Sequence, residues 1–497
     1  MGTNVSPGVY STELDLSLYV QQLSGAIMGE CNTFTKGPVN TRTFISSLDQ
    51  LNNIFGGPTP NSQGWYACRE FLRQGNQLQV VRVAHGASLA SADAQAKDGS
   101  AAETLDFTPI SPGSGWNGYQ LVFTSGTSTG RKISFVDPNG ILLETFDNIL
   151  KANAEANING ISKNFTVTNI TAGSPGEPIN QTLTFTGGND GISGLTDGDI
   201  IGTSVNGVKT GLELLRDSDA VDINLVLASG FSSSNVNLDL IDIATSRGDT
   251  LAIIDAPFGL NVQDIVNWHN GISPGDVAYN SSYGALYWSW QTVFDSINGL
   301  NVETAPSGHA AKVMAYTDRV SFPWFAPAGL NRGLLTSSLG SEISPDQGDR
   351  DLMYGPGNNV NPIVDFVNVG TAIYGQKTLQ RAATALDRVN VRRMLLTLRK
   401  VISTASRYLV FEQNDATLWR EFVGITQPVV NNVIANRGLN QGLVVMDAST
   451  NTPDIVEQNR AAGKIFLEPT KTAEQIELSF VITEQGASFS EMLASGT

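Results

Sequence analysis

The segment LAIIDAP (Leu251–Pro257) decides the fold class. Its apolar run, closed by Asp255, predicts a buried β-strand over 251–255. Working outward, we predict a helix over 238–247, a strand over 223–227 and a helix over 211–217. Helices and strands that alternate along the chain favour a partly parallel sheet covered by helices. The centre of the sequence therefore predicts a mixed α/β core.

The same alternation is present near the N-terminus. The predicted elements are a strand, two helices and a second strand, at 25–29, 47–55, 65–74 and 78–83. Ser47 is the predicted cap of the first helix, and Gly75 closes the second.

Between these two regions the composition changes. Residues 84–104 are small and polar, which indicates a linker, and the chain then carries short β runs between clusters of Gly, Asn, Ser and Thr. The predicted strands lie at 119–123, 132–136, 165–168 and 182–185. This pattern predicts an inserted β-rich domain. Residues 303–362, rich in Gly, Pro and Ser, are predicted to be irregular.

The C-terminal part is predicted to be mainly helical. A helix over 376–408 carries an apolar stripe made of Val391, Leu395, Leu398, Ile402 and Ala405. A second helix, over 415–436, is predicted to be interrupted or restarted at Pro428. A strand follows at 465–467.

Both ends of the sequence have the period-2 pattern of half-buried strands. The apolar positions are Leu14, Leu16, Leu18, Val20, Ile476, Leu478, Phe480 and Ile482. A strand with unpaired backbone groups can join the sheet of a neighbouring subunit, which would link many copies. The alternative is that each arm pairs within its own chain.

Composition excludes several classes of protein. The 497 residues predict about three domains, and 41% apolar residues are ample for buried cores. A net charge of −17 opposes general binding to nucleic acid or anionic membranes. No apolar run is long enough to cross a bilayer, and the first residues lack the basic and apolar regions of a signal peptide. We therefore expect no direct nucleic-acid or membrane partner.

Two segments resemble nucleotide-binding motifs outside their usual context. GSGWNG (Gly113–Gly118) matches G-x-G-x-x-G, but it follows two prolines and precedes a strand, so we expect a turn. The strand ending in Asp255 resembles the one that holds magnesium in P-loop ATPases, but no phosphate-binding loop accompanies it. We expect Asp255 to cap a strand end.

Other chemistry-bearing residues form no catalytic or metal-binding pattern. His85, His269 and His309 are far apart in sequence and show no partner motif. Cys31 and Cys68 are too few for a disulfide framework or a zinc site, and we expect two partly buried thiols in a reducing cytoplasm. We predict no enzyme activity, no metal and no cofactor.

The segment 381–407 is strongly basic. It contains seven basic side chains and one acid, Asp387, in a chain that is acidic overall. Four of them, at spacings of 7, 4 and 7, would share one helical face opposite the apolar stripe: Arg381, Arg388, Arg392 and Arg399. The segment is either a solvated face with local ion pairs or a cationic strip that docks an acidic protein surface.

Several segments resemble the contractile phage tail sheath proteins. At the N-terminus and centre they are SPGVYSTELDLS (6–17), AIMGECNTFTKGPVN (26–40), VVRV (80–83) and RGDTLAIIDAP (247–257). At the C-terminus they are YGQKTL (374–379), DRVNVRRMLLTLRKVI (387–402), FEQNDATLWREF (411–422), NTPDIVEQNRAAGKIFLEP (451–469) and IELSFVITEQGASFSEM (476–492), in the family's order. The resemblance covers 1–85 and 207–497, whereas the segment between them matches only loosely through GSGWNG.

The resemblance implies a multidomain α+β protein with an α/β sheath core, strand-like terminal arms and an inserted β-rich outer domain. The implied divisions are an N-terminal exchange arm (1–20), the N-terminal part of the core (21–85), the insert (86–206), a central α/β domain (207–375), a C-terminal helical and β domain (376–474) and a C-terminal exchange arm (475–497).

The resemblance also implies a structural subunit. Such subunits stack as hexameric rings in a helical sheath around a tail tube, and contraction triggered by the baseplate drives the tube through the host envelope for genome delivery. The implied partners are further copies, the tube protein, and baseplate and tail terminator or neck proteins. The implied location is the virion tail, after assembly in the host cytoplasm. The terminal arms would exchange strands between subunits, and the four arginines are candidates to face the tube.

Two alternatives stay open. A sheath from a phage-derived contractile injection system would have the same sequence pattern. A β-rich surface adhesin is the alternative from a different class, and it would need an export route. An NTPase motor is not favoured, because the sequence has no P-loop.

Overall fold

The computed structural model describes residues 25–475 apart from Asn61 and Pro274. It combines helices and sheets, which confirms the predicted α+β class at that level. The eight residues predicted to exchange strands lie outside the described residues: Leu14, Leu16, Leu18, Val20, Ile476, Leu478, Phe480 and Ile482.

The N-terminal elements follow the predicted order. They are β1 (Met28–Asn32), β2 (Arg42–Ile45), α1 (Leu48–Phe55), α2 (Gln63–Leu72) and β3 (Leu78–Arg82). However, β1 begins three residues later than predicted, and β2 was not predicted. The Ser47 hydroxyl accepts a hydrogen bond from the backbone N–H of Gln50, so the predicted cap of the first helix is confirmed.

The next segment is β-rich. Its elements are β4 (Leu89–Ala90), β5 (Ala94–Lys97), β6 (Glu103–Pro109), β7 (Gln120–Ser125), β8 (Arg131–Val136), β9 (Leu142–Ile149), α3 (Ala154–Ile158), β10 (Phe165–Asn169), β11 (Thr182–Thr184), β12 (Asn189–Asp190), α4 (Asp197–Ile201), β13 (Ser204–Val205) and β14 (Val208–Lys209). Two sheets, β10-β6-β5 and β11-β7-β8-β9, enclose an apolar core of their own. The predicted linker over 84–104 is wrong, because it contains β4 and β5.

The central elements complete the α/β core. They are β15 (Leu225–Leu227), α5 (Ser234–Arg247), β16 (Leu251–Ile254), α6 (Val262–Asn270), β17 (Gly284–Trp288), β18 (Gln291–Asp295), β19 (Leu300–Thr304), α7 (Pro306–Val320), β20 (Ser338–Ser341), α8 (Gln347–Met353), β21 (Asn361–Phe366) and β22 (Gly370–Ile373). The predicted helix over 211–217 is a 3-10 turn at Gly211–Leu215.

One sheet joins the N-terminal and central parts. Its order is β2-β3-β1-β15-β16-β17-β21-β22, with six parallel strands between two antiparallel edge strands. Helices α2 and α7 pack on one face of this sheet, and α5 and α6 pack on the other. The predicted parallel sheet covered by helices is therefore confirmed.

The prediction that residues 303–362 are irregular is wrong. This range contains α7, a helix of 15 residues, together with α8 and β20. Eleven residues of α7 are buried, including Ala310, Ala311 and Met314. A helix that is buried on most sides shows no separate polar face, so periodicity does not reveal it.

The C-terminal elements are α9 (Val389–Ser406), α10 (Ala416–Ala435), β23 (Leu439–Val445), α11 (Pro453–Glu457) and β24 (Lys464–Pro469). The predicted long helix starts later than Gln376, because the chain before α9 forms a bridge between Lys377 and Arg388. The predicted interruption of α10 is wrong, since that helix continues through Pro428. In the described part of the chain, no helix combines the length and apolarity that a bilayer crossing requires.

Candidate functional site

The carboxyl edge of the large sheet is the position at which a fold of this type binds ligands. Along the chain, β1 is the first parallel strand, and the next two, β3 and β15, lie on opposite sides of it. The strand order therefore reverses between β1 and β15. Doubly wound sheets bind ligands in the crevice at such a switch point, outside the carboxyl ends of the strands.

In this protein the switch point is filled by five polar side chains, which we call the buried polar centre. They come from the end of β1, from the loops after β15 and β16, and from the first turn of α7: Glu30, Asn32, Ser229, Asp255 and Ser307. None of the five is more than 2% exposed. The crevice is thus closed by the chain itself.

Glu30 is held by three hydrogen bonds from two neighbours. The Asn32 amide donates to Oε1 over 2.8 Å, and the backbone and hydroxyl of Ser229 donate to Oε1 and Oε2 over 2.9 and 3.0 Å. These bonds join the ends of two adjacent strands, β1 and β15.

Asp255 connects the sheet to α7. Its Oδ1 accepts the backbone N–H of Ser307 over 3.0 Å, and its Oδ2 accepts the Ser307 hydroxyl and the Gly230 N–H. The Ser307 hydroxyl also lies 3.0 Å from that of Ser229, which links the two carboxyl groups. Asp255 lies at the strand end, as predicted, and it caps the N-terminus of α7 as well.

The chemistry of the buried polar centre is structural. Burial raises the pKa of Glu30 to about 7 and that of Asp255 to about 6, while hydrogen bonds from neighbouring groups oppose the shift. Two acidic groups in a closed space offer neither charge complementarity nor room for a phosphate. The network instead fixes three strands and one helix relative to one another.

Replacing Glu30 by Gln should stabilise the protein at pH 8 and leave it unchanged near pH 4. The pKa of Glu30 in the folded protein, about 7, lies above its ordinary value of 4.5. Between these two pH values the folded state therefore binds more protons than the unfolded state. Stability therefore falls as the pH rises through that window, and a neutral isostere removes the fall. We expect a gain of about 1–3 kcal/mol in the free energy of unfolding at pH 8, measured by urea denaturation. The exposed Glu421→Gln is the matched control, and an equal gain at both pH values would contradict the assignment.

GSGWNG forms the predicted turn and has a packing role. Its central residues make a 3-10 turn before β7 that lies against the N-terminal core. The Gly115 N–H donates to the Thr35 carbonyl over 2.9 Å, and Lys36 lies 4.5 Å above the ring centre of Trp116. Gly113 has a φ of 135°, and a Cβ there would overlap the Thr35 carbonyl oxygen, so this approach requires glycine. The turn seats the β-rich segment on the core.

The histidines and cysteines do not meet. His85 lies 3.0 Å from Asp199, and the buried His309 lies 3.9 Å from Glu70 in a different part of the core. His269 is also buried. Both cysteines are buried free thiols. Across residues 25–475, apart from the two positions left out, no group of three or more His, Cys, Asp or Glu is placed to hold a metal.

The prediction that four arginines share one exposed helical face is wrong. Arg381 precedes α9, and its guanidinium donates to the carbonyls of Tyr279 and His269 over 3.3 Å each. Arg388 is the N-cap of α9 and pairs with Glu474 over 2.8 Å. Neither residue lies within the helix.

Arg392 and Arg399 do lie on α9, but only Arg399 is exposed. Arg392 is 4% exposed, and its guanidinium lies 4.1 Å from the ring centre of Tyr283. The guanidinium of Arg399 lies against Gly248, and it forms no ion pair with any described residue. The prediction failed because α9 packs against two apolar clusters, so the face opposite the stripe is largely buried as well.

The rest of the basic segment forms ion pairs with acids elsewhere in the chain, of which the pair made by Arg393 is buried. Arg393 pairs with Asp318 of α7 over 2.6 Å, Arg407 pairs with Asp219 over 2.6 Å, and Lys400 pairs with Asp222. Local ion pairs, one of the two alternatives, therefore account for most of the segment. A tube-facing role for Arg381, Arg388, Arg392 and Arg399 stays a prediction.

Sequence reasoning missed the buried polar centre and the Arg393–Asp318 pair. One signal was present: Glu30 is a charged residue inside the apolar stretch AIMGEC. A charge is rarely placed in a buried strand unless it has partners. One partner, Asn32, is two residues away, but Ser229 is 199 residues away in sequence, so no local pattern identifies the network.

No protein-family model matches the chain. Three curated proteins named "Tail sheath protein" are similar to it. The protein from Vibrio phage KVP40 is 29% identical over 305 residues, which are 57% of this chain and 45% of that protein. The protein from Enterobacteria phage T4 is 28% identical over 333 residues, which are 64% of this chain and 49% of that protein. The protein from Salmonella phage ViI is 26% identical over 294 residues, which are 57% of this chain and 45% of that protein. The match thus spans about half the length of these relatives. The predicted resemblance to phage tail sheath proteins is confirmed.

Solved structures share the fold. The sheath tail protein of Desulfitobacterium hafniense has a TM-score of 0.60 at 12% identity over 89% of this chain and 94% of that one. The contracted sheath of an extracellular contractile injection system (PVC) has a TM-score of 0.56 at 15% identity over 97% and 98%. The contracted helical sheath of the anti-feeding prophage has a TM-score of 0.56 at 14% identity over 97% and 99%.

Proposed function

We propose that the chain is the structural subunit of a contractile tail sheath. It would polymerise as stacked hexameric rings around a tail tube and contract to drive the tube through the host envelope for genome delivery. The observation that carries this proposal is the agreement of two independent comparisons: the curated relatives are named for the tail sheath, and the fold matches sheath structures over most of the chain. Its partners would be further copies, the tube protein, and baseplate and terminator or neck proteins. It would assemble in the host cytoplasm and remain in the virion tail.

The C-terminal part offers an acceptor for the terminal arms. Strands β23 and β24 form a sheet of only two strands, and within the described residues neither pairs with a further strand. Leu443 and Phe466 lie opposite each other on this sheet and are 56% and 57% exposed. A two-stranded sheet is only marginally stable alone. Strands supplied by neighbouring subunits would extend it and cover this apolar pair.

A sheath of this type would contract without nucleotide hydrolysis. The switch point, where doubly wound sheets of the dinucleotide-binding type hold their ligand, is closed by the buried polar centre, which supports contraction without a bound nucleotide there. The energy of contraction would come from greater burial between cores, at about 25 cal/mol per Å² of apolar surface in each of many copies. The β-rich segment, fixed to the core through GSGWNG, would form the outer domain.

A sheath of a phage-derived injection system is the second candidate, because two of the similar structures come from such systems. Genome neighbours separate the two: capsid and terminase genes indicate a phage. The comparisons favour these two kinds of sheath over a β-rich surface adhesin.

Electron microscopy of the purified protein, alone and with its tube protein, tests the proposal. We expect hollow cylinders of stacked rings in negative stain, and their diameter shows which state of the sheath forms. Monodisperse particles under both conditions would contradict self-assembly. The exposed Val367→Ala variant should form the same cylinders as the wild type.

A further inference from the structure

A pocket of about 170 Å³ lies where α7 meets the loop that follows it and the chain just after α2, and we call it the α7 pocket. Six of its lining residues are Gln74, Lys312, Val313, Tyr316, Arg332 and Leu334. The volume gives room for about five water molecules. Pockets that hold drug-sized ligands measure roughly 300–1,000 Å³. The α7 pocket is therefore suited to one small group.

Arg332 brings to this pocket a guanidinium that is held in place and has free donors. Its loop is tied to the edge strand β22, because the Gly329 N–H donates to the Ile373 carbonyl and the Ile373 N–H donates to the Gly333 carbonyl, over 2.9 Å each. The Arg332 Nε donates to the Ala326 carbonyl over 3.0 Å, and the two terminal nitrogens bond to no described residue. Such a planar pair of N–H donors binds a carboxylate through two parallel hydrogen bonds.

Lys312, the second cation of the pocket, belongs to a cluster with excess positive charge. Its side chain is 3% exposed, and Nζ donates to Glu70 over 2.9 Å and to Ser337 over 2.7 Å. Glu70 also pairs with Arg69 over 2.9 Å and with Arg73 over 3.4 Å, so three cations share one carboxylate. Among the described residues no acid lines the pocket. A cleft lined by charges of one sign attracts the opposite charge, so the α7 pocket favours an anion.

The remaining walls fit a short aliphatic stem. Val313, Leu334 and the ring of Tyr316 present apolar surface. A free phosphate would leave this surface uncovered, whereas a carboxylate on two or three methylene groups would bury it. The Gln74 Oε1 is buried without a hydrogen-bond partner, and buried polar atoms are normally satisfied by protein, water or a ligand. Turned over, this amide presents its NH2 group to a carboxylate.

We propose that the α7 pocket binds an aliphatic carboxylate of about the size of a glutamate side chain. Arg332 holds the carboxylate, and the apolar walls hold its stem. A glutamate side chain of a second copy and a free dicarboxylate present the same group, and the two sources differ in whether assembly competes with the ligand. The inference does not depend on the proposed sheath function, because the pocket is complete within a single chain.

Calorimetric titration of the full chain with glutarate, at pH 7 and below the concentration at which it assembles, tests the pocket. We expect saturable binding of glutarate, weaker binding of inorganic phosphate, and no binding of the neutral diamide of glutarate. Titrations that do not saturate, or equal binding of the diamide, would overturn the proposal. Tighter binding of phosphate would overturn the assignment of a carboxylate.

Variants locate the binding. Arg332→Gln should weaken glutarate binding by about 10- to 100-fold, and Arg332→Lys, which keeps the charge without the planar pair of donors, should recover only part of the affinity. Thr336→Trp, at an exposed lining position, should block the pocket without removing a charge. Lys132→Gln, exposed on β8, is the matched control and should bind like the wild type. Unchanged binding in Arg332→Gln and Thr336→Trp would place the ligand elsewhere and overturn the proposal.

Assembly in saturating glutarate identifies the source of the carboxylate. If a second copy supplies a glutamate, glutarate should raise the critical concentration of the wild type but not that of Arg332→Gln. If the ligand is a free acid, glutarate should leave assembly unchanged. A chain that binds glutarate but never forms cylinders counts against the proposed function alone, and a chain that forms cylinders but binds no glutarate overturns this inference alone.

Discussion

Deleting residues 1–20 should leave a folded monomer that no longer polymerises under conditions in which the full chain forms cylinders. Residues 25–475 supply the eight strands of the large sheet and its two apolar clusters, so we expect the shortened chain to fold. The two-stranded β23–β24 sheet would then lack a strand from its neighbour, and the links between subunits would be lost. The measurement is sedimentation combined with negative-stain microscopy.

Two controls make this result specific. The circular dichroism and thermal unfolding of the shortened monomer should match those of the unpolymerised full chain. A peptide of residues 1–20 in which Leu14, Leu16, Leu18 and Val20 are all replaced by Ser should fail to inhibit assembly of the full chain, whereas the natural peptide should inhibit it. Normal cylinders from the shortened chain would remove the strand-exchange proposal.

Replacing Asp318 by Ala should destabilise the attachment of α9 to the core by about 3–5 kcal/mol. The Arg393 guanidinium donates to both carboxylate oxygens of Asp318, over 2.8 and 2.6 Å, and the two side chains are 5% and 2% exposed. Removing the carboxylate leaves a buried positive charge without a partner. Each 1.4 kcal/mol corresponds to a tenfold change, so hydrogen exchange of the α9 amides should accelerate by at least about 100-fold.

A double variant distinguishes the lost charge pair from lost packing. Combining Asp318→Leu with Arg393→Met removes both charges and should recover most of the stability, because an apolar pair of similar volume replaces a buried ion pair well. The surface pair of Arg407 and Asp219, with side chains 61% and 79% exposed, is the control. Arg407→Ala should cost less than about 1 kcal/mol. Equal effects at the buried and exposed pairs would contradict this account.

Local pattern was enough for much of the fold. The Ser47 cap, the strands β3, β7, β8, β10 and β16, and the alternation around them depend on residues close together in the chain. The family resemblance also rests on contiguous segments. These features could be identified because hydrophobic periodicity and capping are encoded within a few residues.

The tertiary structure decided what the polar residues do. The basic segment at 381–407 has the charge of a docking strip, yet most of its side chains pair with acids or carbonyls that are 75–188 residues away in sequence. Likewise, whether Asp255 meets a ligand or Ser307 depends on the position of α7, whose buried sequence has no helical stripe. The free energy of a charged group depends on its burial and its partners, and both exist only once distant segments have packed.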